Sequence, residues 1–464
     1  MKKKNCYISS FCKSNEITGL SSRKYTLSMD IIRILSLILV FSFWFPEMRI
    51  GLNGLVYPKV SIYYMERVGL PWVSELIIIL MALAFVLGVS SKELHLRSIW
   101  STRIALFMCY VSLLVIPISL LFGLQAGEAA FSHLRFTLES LALFIVESHV
   151  AWQARDLYLI VWLFIGGTVF NAIVAILAIY LPQWVPLPIN LISQIEYAQV
   201  AGLFSQPSRQ SLFLGMGIAL LAALFVQQPL RTLSFRKTVF YTSLIGILSI
   251  GVGLAQIRTS YVSIPITLLV IAWLSRNKLS GRLGRLFMAF LIMLIAVFIL
   301  IFIHLLPVAT QRMGLYPFRE EFASTRGLVW SIALQVILRY PLGTGYDTIG
   351  AISESITGDR ITHAHNLFLH WTVMFGLPGL ALLIYFIARM YRETNKLMVN
   401  TGIKGRQVLF AMQSAITVFL LNGTTEPYFI TNSSIWFWLF CGVLLSFPTG
   451  AYKKPLQSCR QRFG

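Results

Sequence analysis

Two histidines, separated by a single residue, lie where a long polar segment ends and an apolar segment begins. His363 and His365 are followed by Asn366 and then by a run of apolar residues. A His-x-His pair can bind a metal ion, but the chain has neither an HExxH nor an Asp-x-Asp sequence to supply further ligands. A neutral imidazole, with an ordinary pKa of about 6.5, is suited to removing a proton at neutral pH. We therefore predict a general base in this histidine pair and no metal site. The alternative is a histidine that only caps the next helix.

Arginines form the second group of candidate residues. In the topology derived below, the outer side carries eleven basic residues, all but one of them arginine: Arg49, Lys59, Arg67, Arg135, Arg209, Arg258, Arg312, Arg319, Arg326, Arg339 and Arg360. Guanidinium groups bind phosphate in a bidentate manner and keep their charge in partly buried sites. Arg258 is the strongest candidate, because it lies in a very short loop between apolar segments, where an unpaired charge is costly. For the others, pairing with outer acids such as Glu320 and Asp347 is the alternative.

These side chains must be positioned by membrane helices. The chain has 464 residues, of which 57% are hydrophobic and 12% are charged, and its mean hydropathy is +0.74. Soluble domains carry about a quarter of their residues as charge. Many uncharged runs reach the roughly 18 residues that a helix needs to cross about 30 Å of hydrocarbon. We predict an all-α, polytopic membrane protein, because lipid cannot satisfy an open backbone.

The apolar runs predict about twelve transmembrane helices. Their approximate limits are 30–46, 71–90, 104–124, 133–152, 157–181, 209–227, 239–257, 260–275, 286–307, 366–388, 407–424 and 434–448. With the N-terminus inside, 26 of the 38 Lys and Arg residues fall on the inner side, as the positive-inside rule requires. Both termini are expected in the cytoplasm. The net charge of +20 then reflects orientation and not nucleic-acid binding.

The chain divides accordingly into five parts: a cytoplasmic tail at 1–29, nine helices in 30–307, a large outer loop at 308–365, three helices in 366–448, and a cytoplasmic tail at 449–464. Loops much longer than about 15 residues are usually functional or disordered. This loop contains a helical pattern over 327–338 and turn residues after Pro341. We predict that it folds as a cap over the outer face of the membrane.

Four motifs resemble those of the O-antigen ligase and polymerase superfamily. An HN-x9-GxxG signature is matched by His365-Asn366 and Gly376-Leu377-Pro378-Gly379. The residues from Arg326 to Gly345 resemble an R-x3-W…PLxGxG stretch. Arg258-Thr259-Ser260-Tyr261 resembles an S/T-R-x element, and residues 202–208 resemble a GxF-x-x-P-S/N turn. Many relatives also carry an arginine just before the GxF turn. This chain has none there, and Arg209, just after the turn, is the candidate substitute.

The resemblance implies a glycosyltransferase C-like enzyme in the bacterial inner membrane, with its active site on the periplasmic face. It implies His365 as the base, Arg258, Arg326 and Arg209 as pyrophosphate-binding residues, and a supporting role for His363, Asn366, Gly376 and Gly379.

The implied reaction transfers a glycan from undecaprenyl pyrophosphate to a sugar hydroxyl of lipid A–core, without metal or cofactor. The expected partners are the lipid-linked donor, the glycan acceptor and membrane lipids, with no nucleic acid. A polymerase that extends a lipid-linked glycan is the close alternative, and a protein hydroxyl is a third acceptor. A lipid-linked glycan flippase or other transporter is the alternative from a different class, since twelve helices with both ends inside also describe many transporters.

Overall fold

The computed structural model describes residues 27–44, 73–92, 94, 100–121, 128–180, 191–194, 197–200, 203–204, 206–228, 234–275, 282–315, 321–346, 348–357, 363–430 and 433–446. Almost all of the predicted tails, 1–29 and 449–464, therefore lies outside the described residues.

The described part of the chain is almost entirely helical. Its helices are α1 (Leu27–Ser42), α2 (Val73–Ser90), α3 (Trp100–Leu121), α4 (Glu128–His149), α5 (Ala154–Tyr180), α6 (Pro207–Val226), α7 (Phe235–Ala255), α8 (Ser260–Ser275), α9 (Arg282–Leu315), α10 (Glu321–Arg339), α11 (Thr348–Thr357), α12 (Leu367–Asn400), α13 (Ile403–Asn422) and α14 (Ser434–Ser446). A short 3₁₀ turn, Tyr428–Ile430, lies between α13 and α14.

Helices α1–α9 and α12–α14 overlap the twelve predicted spans, and α9 and α12 extend beyond the predicted ends, to Leu315 and Asn400. Helices α10 and α11 lie in the predicted outer loop. Within the described residues, five helices are long and apolar enough to cross a membrane: α5, α6, α7, α9 and α12. Five further apolar helices are shorter than that. The chain is therefore a helical membrane protein, and the number of twelve spans stays a prediction.

One element departs from the all-α prediction. Strands β1 (Leu191–Gln194) and β2 (Tyr197–Val200) form an antiparallel hairpin in which Leu191 pairs with Val200 and Gln194 pairs with Tyr197. The hairpin joins α5 to α6. A two-residue connection between strands is the usual β-hairpin geometry, and four-residue strands are too short to produce a clear alternating pattern in the sequence.

Helix α6 lies at the centre of the bundle. It packs against α5, α7, α8 and α13, and almost every one of its side chains is buried. Small residues permit this close packing: a Cβ on Gly217 would lie 2.5 Å from the hydroxyl oxygen of Thr168 in α5. The aromatic ring of Phe213 lies 4.7 Å from that of Phe164 and 4.9 Å from that of Trp436, centroid to centroid.

The segment between α9 and α12 has an apolar cluster of its own. Helices α10 and α11 pack on each other and on α12. The cluster comprises the buried side chains of Val329, Ile332, Ala333, Val336, Ile337, Ile349, Ala364 and Val373. The described part of this loop is therefore folded, as the sequence pattern predicts, and it rests on the first turns of α12.

Candidate functional site

Asn366 fixes the start of α12. Its side-chain oxygen accepts hydrogen bonds from the backbone amides of Phe368 (2.9 Å) and Leu369 (3.0 Å), which is the geometry of an N-cap. Its amide nitrogen donates to the carbonyl oxygen of Thr424, 2.9 Å away. The helix cap is thus provided by Asn366, which leaves the preceding histidine available for another role.

His365 lies at this cap with a left-handed backbone conformation, φ 45°. Its Nδ1 atom is 4.0 Å from the Oε2 atom of Glu426, and the two side chains are 36% and 22% exposed. At that distance the contact is electrostatic and not a hydrogen bond. A carboxylate on the Nδ1 side stabilises a protonated imidazole and leaves Nε2 to exchange a proton with a substrate.

Two further histidines, His363 and His370, lie close to His365. The rings of His363 and His365 are 4.2 Å apart, centroid to centroid. Burial, together with the neighbouring rings of His365 and His133, lowers the pKa of His363 to about 4, so its imidazole is neutral at neutral pH. The backbone amide of Ala364 points to Nδ1 of the buried His370 at 3.5 Å. His363 is therefore a neutral neighbour of the candidate base.

Arg258 lies in the turn between α7 and α8, and its side chain is exposed. The turn begins at Gln256, which has a left-handed conformation with φ 52°. The hydroxyl of the next residue, Thr259, is 2.6 Å from the hydroxyl of Thr425. Since Glu426 follows Thr425, this contact brings the Arg258 turn to the same place as His365.

The other two predicted arginines are positioned differently. Arg209 is half-buried in the first turn of α6. The hydroxyl of Tyr428 donates to the carbonyl oxygen of Ser208, 3.3 Å away. Arg209 is thus adjacent to the same part of the chain that meets His365. The backbone of Arg326 belongs to α10, and its side chain lies outside what the structure describes.

Residues 422–428, which we call the linking segment, contact three of the motifs: His365-Asn366, Arg258-Thr259 and the turn at 202–208. The sequence analysis did not identify these residues. Thr424 bonds to Asn366, Thr425 to Thr259, and Tyr428 to Ser208, while Glu426 faces His365. One signal was available in the sequence: Glu426 is the only Asp or Glu after Glu393. A single acid between two apolar segments is costly to keep there without a function or a partner.

Two glycines join the predicted loop to α12. Gly343 (φ 94°) and Gly376 (φ 71°) both have positive φ, which glycine adopts without strain. A Cβ on Gly376 would lie 2.3 Å from the carbonyl carbon of Leu342, and one on Gly343 would lie 2.5 Å from the carbonyl oxygen of Met374. The motif glycines therefore allow two backbone segments to touch at a break in α12.

Backbone hydrogen bonds fasten this contact. Thr344 donates to the carbonyl oxygen of Val373 at 2.9 Å, and Leu377 donates to that of Pro341 at 2.8 Å. The carbonyl oxygen of Gly379, the second glycine of the GxxG motif, accepts a hydrogen bond from the indole of Trp371, 3.1 Å away. Gly376 and Gly379 thus shape the backbone of α12 around its break.

A comparison with known protein families finds a match over the same region of the chain. Residues 243–384 match the model of the O-antigen ligase family. This segment is an O-antigen ligase domain. The resemblance to the O-antigen ligase and polymerase superfamily is therefore confirmed over these residues, which make up less than a third of the chain. The comparison with curated proteins found no match.

The O-antigen ligase domain contains most of the predicted site. Arg258, Arg326 and His365 lie within its limits, as do the two glycines of the GxxG motif. Arg209 precedes the domain and Glu426 follows it. The family match supports a membrane enzyme of the glycosyltransferase type, and the roles of individual residues remain predictions.

The described residues of the protein offer a base and positive charges, but no arrangement of three or more His, Cys, Asp or Glu side chains suited to holding a metal ion. His365 can accept a proton, with Glu426 to stabilise the resulting charge. Arg258 and Arg209 can neutralise a phosphate. Together these groups are suited to displacing a phosphate leaving group by a hydroxyl.

Proposed function

We propose that the chain transfers a glycan from undecaprenyl pyrophosphate to a sugar hydroxyl of lipid A–core at the periplasmic face of the bacterial inner membrane. The proposal depends on one observation, the meeting of His365, Glu426 and the Arg258 turn at the linking segment. This meeting gathers a base, a carboxylate and a guanidinium-bearing turn at one end of the helical bundle. The O-antigen ligase domain supports the choice of reaction.

In the proposed mechanism, His365 removes the proton from the acceptor hydroxyl as its oxygen attacks the anomeric carbon of the donor. The new C–O bond forms while the bond to the pyrophosphate breaks, and its electron pair leaves with the phosphate. A single displacement inverts the anomeric configuration. Glu426 stabilises the imidazolium that results, through the 4.0 Å contact with Nδ1.

Fixed guanidinium groups neutralise the charge on the leaving diphosphate. The exposed position of Arg258 beside the linking segment supports this role for its side chain. Arg209 and Arg326 are the proposed further contacts. Because fixed positive charges supply the stabilisation, the proposed reaction requires no divalent ion.

Deletion in the native host, followed by gel analysis of its surface glycolipids, tests this assignment. We expect loss of all long glycan from lipid A–core and accumulation of lipid-linked glycan. Complementation with the wild-type chain should restore the pattern, and complementation with His365→Asn should not.

The other candidate functions give different patterns. A single repeat unit left on lipid A–core would indicate a polymerase, and lipid-linked glycan held on the cytoplasmic side would indicate transport. An unchanged glycolipid pattern would contradict the proposal.

A further inference from the structure

Asn422, at the end of α13, is fully buried and makes hydrogen bonds with both of its side-chain polar atoms. Its oxygen accepts from the hydroxyl of Ser260, 2.9 Å away. Its nitrogen donates to the hydroxyl of Ser263 at 2.7 Å and to the carbonyl oxygen of Val418 at 3.1 Å. Because that carbonyl can only accept, the amide orientation is determined.

The partner serines lie on α8, in the turns directly after Arg258. Ser260 and Ser263 are themselves buried. Two hydrogen bonds therefore join the C-terminal end of α13 to the N-terminal end of α8. Removing the amide would leave two buried hydroxyl groups without this partner, which is more costly than an unmade bond in water.

The main chain of Asn422 extends the connection. Its carbonyl oxygen accepts from the backbone amide of Thr425 at 3.2 Å and from the hydroxyl of Thr425 at 3.3 Å. That hydroxyl meets the hydroxyl of Thr259 at 2.6 Å. Either of these two hydroxyls can be the donor in this contact.

We propose that Asn422 is a positioning residue that holds the Arg258 turn at a fixed distance from Glu426 and His365. The inference rests on the proposed function for its effect on catalysis. One residue can do this because it contacts both sides. The side chain of Asn422 forms hydrogen bonds with α8, and its backbone carbonyl binds Thr425, the neighbour of Glu426. Catalytic groups placed by such a network reach the transition state with less reorganisation.

Asn171 provides a matched control. It is also fully buried, and its amide donates to the carbonyl oxygens of Trp44 (3.1 Å) and Gly167 (2.9 Å). It therefore links α5 to the residues that follow α1, and both of these hydrogen bonds go to residues outside the motifs. Asn171→Ala removes a buried interhelical hydrogen bond of the same type and reports the loss of stability that such a change causes by itself.

The first measurement does not depend on any substrate. Thr259→Cys/Thr425→Cys, in a background with the five native cysteines replaced by alanine, places two thiols where the hydroxyls are 2.6 Å apart. We expect mild oxidation to form an intramolecular disulfide rapidly in this background. After Asn422→Ala, the rate of disulfide formation should fall at least about tenfold. Asn171→Ala should leave the rate unchanged. An equal rate with and without Asn422 would overturn the proposal.

The second measurement is transfer by purified Asn422→Ala and Asn171→Ala with native cysteines and threonines. We expect Asn422→Ala to lower kcat about tenfold or more with little change in KM, and Asn171→Ala to retain kcat, at comparable losses of thermal stability. Equal kcat values in the two variants would reduce Asn422 to a purely structural role. If wild-type protein shows no transfer while the disulfide still depends on Asn422, the proposed function fails and the positional role stands.

Discussion

At the residue scale, the backbone of His365 decides how its chemistry should be tested. Its left-handed conformation is one that histidine and asparagine adopt more readily than alanine. His365→Asn keeps this conformation and removes the base, so we expect folded protein with transfer lowered roughly 10²–10⁴-fold. Initial rates in nanodiscs, with the thermal unfolding midpoint as the control for folding, measure this. Wild-type rates in the variant would exclude His365 from proton transfer.

Glu426 is predicted to act through His365. Glu426→Gln removes the charge beside Nδ1 and should lower transfer about tenfold, equivalent to about 1.4 kcal/mol of transition-state stabilisation. In the His365→Asn background, Glu426→Gln should have no further effect on transfer, because the imidazole that Glu426 stabilises is absent. Glu393→Gln, at an exposed ion pair with Lys396, is the control. Additive losses in the double variant would show that Glu426 acts independently.

His363 should make stability depend on pH. Its pKa is lowered from the ordinary 6.5 to about 4, so between these values the unfolded chain binds a proton that the folded chain does not. Stability is therefore expected to fall as the pH drops below about 6.5, down to about 4. His363→Gln should reduce this fall, measured as the difference in unfolding midpoint between about pH 7 and about pH 5. The same pH dependence in variant and wild type would assign it to other groups.

At the element scale, the contact between the outer loop and α12 depends on two glycines. Gly376→Ala and Gly343→Ala combine positive φ with a Cβ that would approach backbone atoms within 2.3–2.5 Å. Each should destabilise the protein by roughly 2–4 kcal/mol. Gly246→Ala, in α7 with no atom within 4 Å of the added Cβ, should be neutral or stabilising by up to about 1 kcal/mol. Equal unfolding midpoints for the three variants would contradict this reading.

Much of the element scale was accessible from the sequence. Continuous apolar runs predict helices because only helices satisfy their own backbone in lipid, and α1–α9 and α12–α14 lie where those runs do. The helical pattern of 327–338 also corresponds to α10. The β1–β2 hairpin was missed, because short strands carry little periodic signal. The break at Gly376 was not predicted either, since it arises from contact with Leu342, thirty-four residues earlier.

The site was predictable only in part. The histidine, the arginines and the glycines belong to local motifs that spacing can reveal. The linking segment has no such spacing, because its contacts join residues that are 58 to 220 positions apart in the chain. Hydropathy places Asn422 at the end of an apolar run and gives no sign that α8 is its neighbour. Packing of α13 between α6 and α8 creates that relationship.

At the scale of the whole molecule, the independence of transfer from divalent ions is the decisive chemical prediction. Fixed guanidinium groups are proposed to do what a metal does in many other enzymes, and the described residues provide no cluster suited to a metal. A chelator in large excess should leave the transfer rate of purified enzyme unchanged. Loss of activity that magnesium or manganese restores would contradict the mechanism.

The boundaries of the family match do not enclose the whole of the proposed site. The family match ends at residue 384, whereas the carboxylate that faces the histidine and the amide that grips α8 come about forty residues later, on a different helix and its following turn. A chimaera that exchanges residues 243–384 between relatives would therefore inherit the histidine and its glycines but pair them with a foreign counterpart. The donor and acceptor preferences of one relative should therefore transfer to another only when residues 422–428 are exchanged together with residues 243–384.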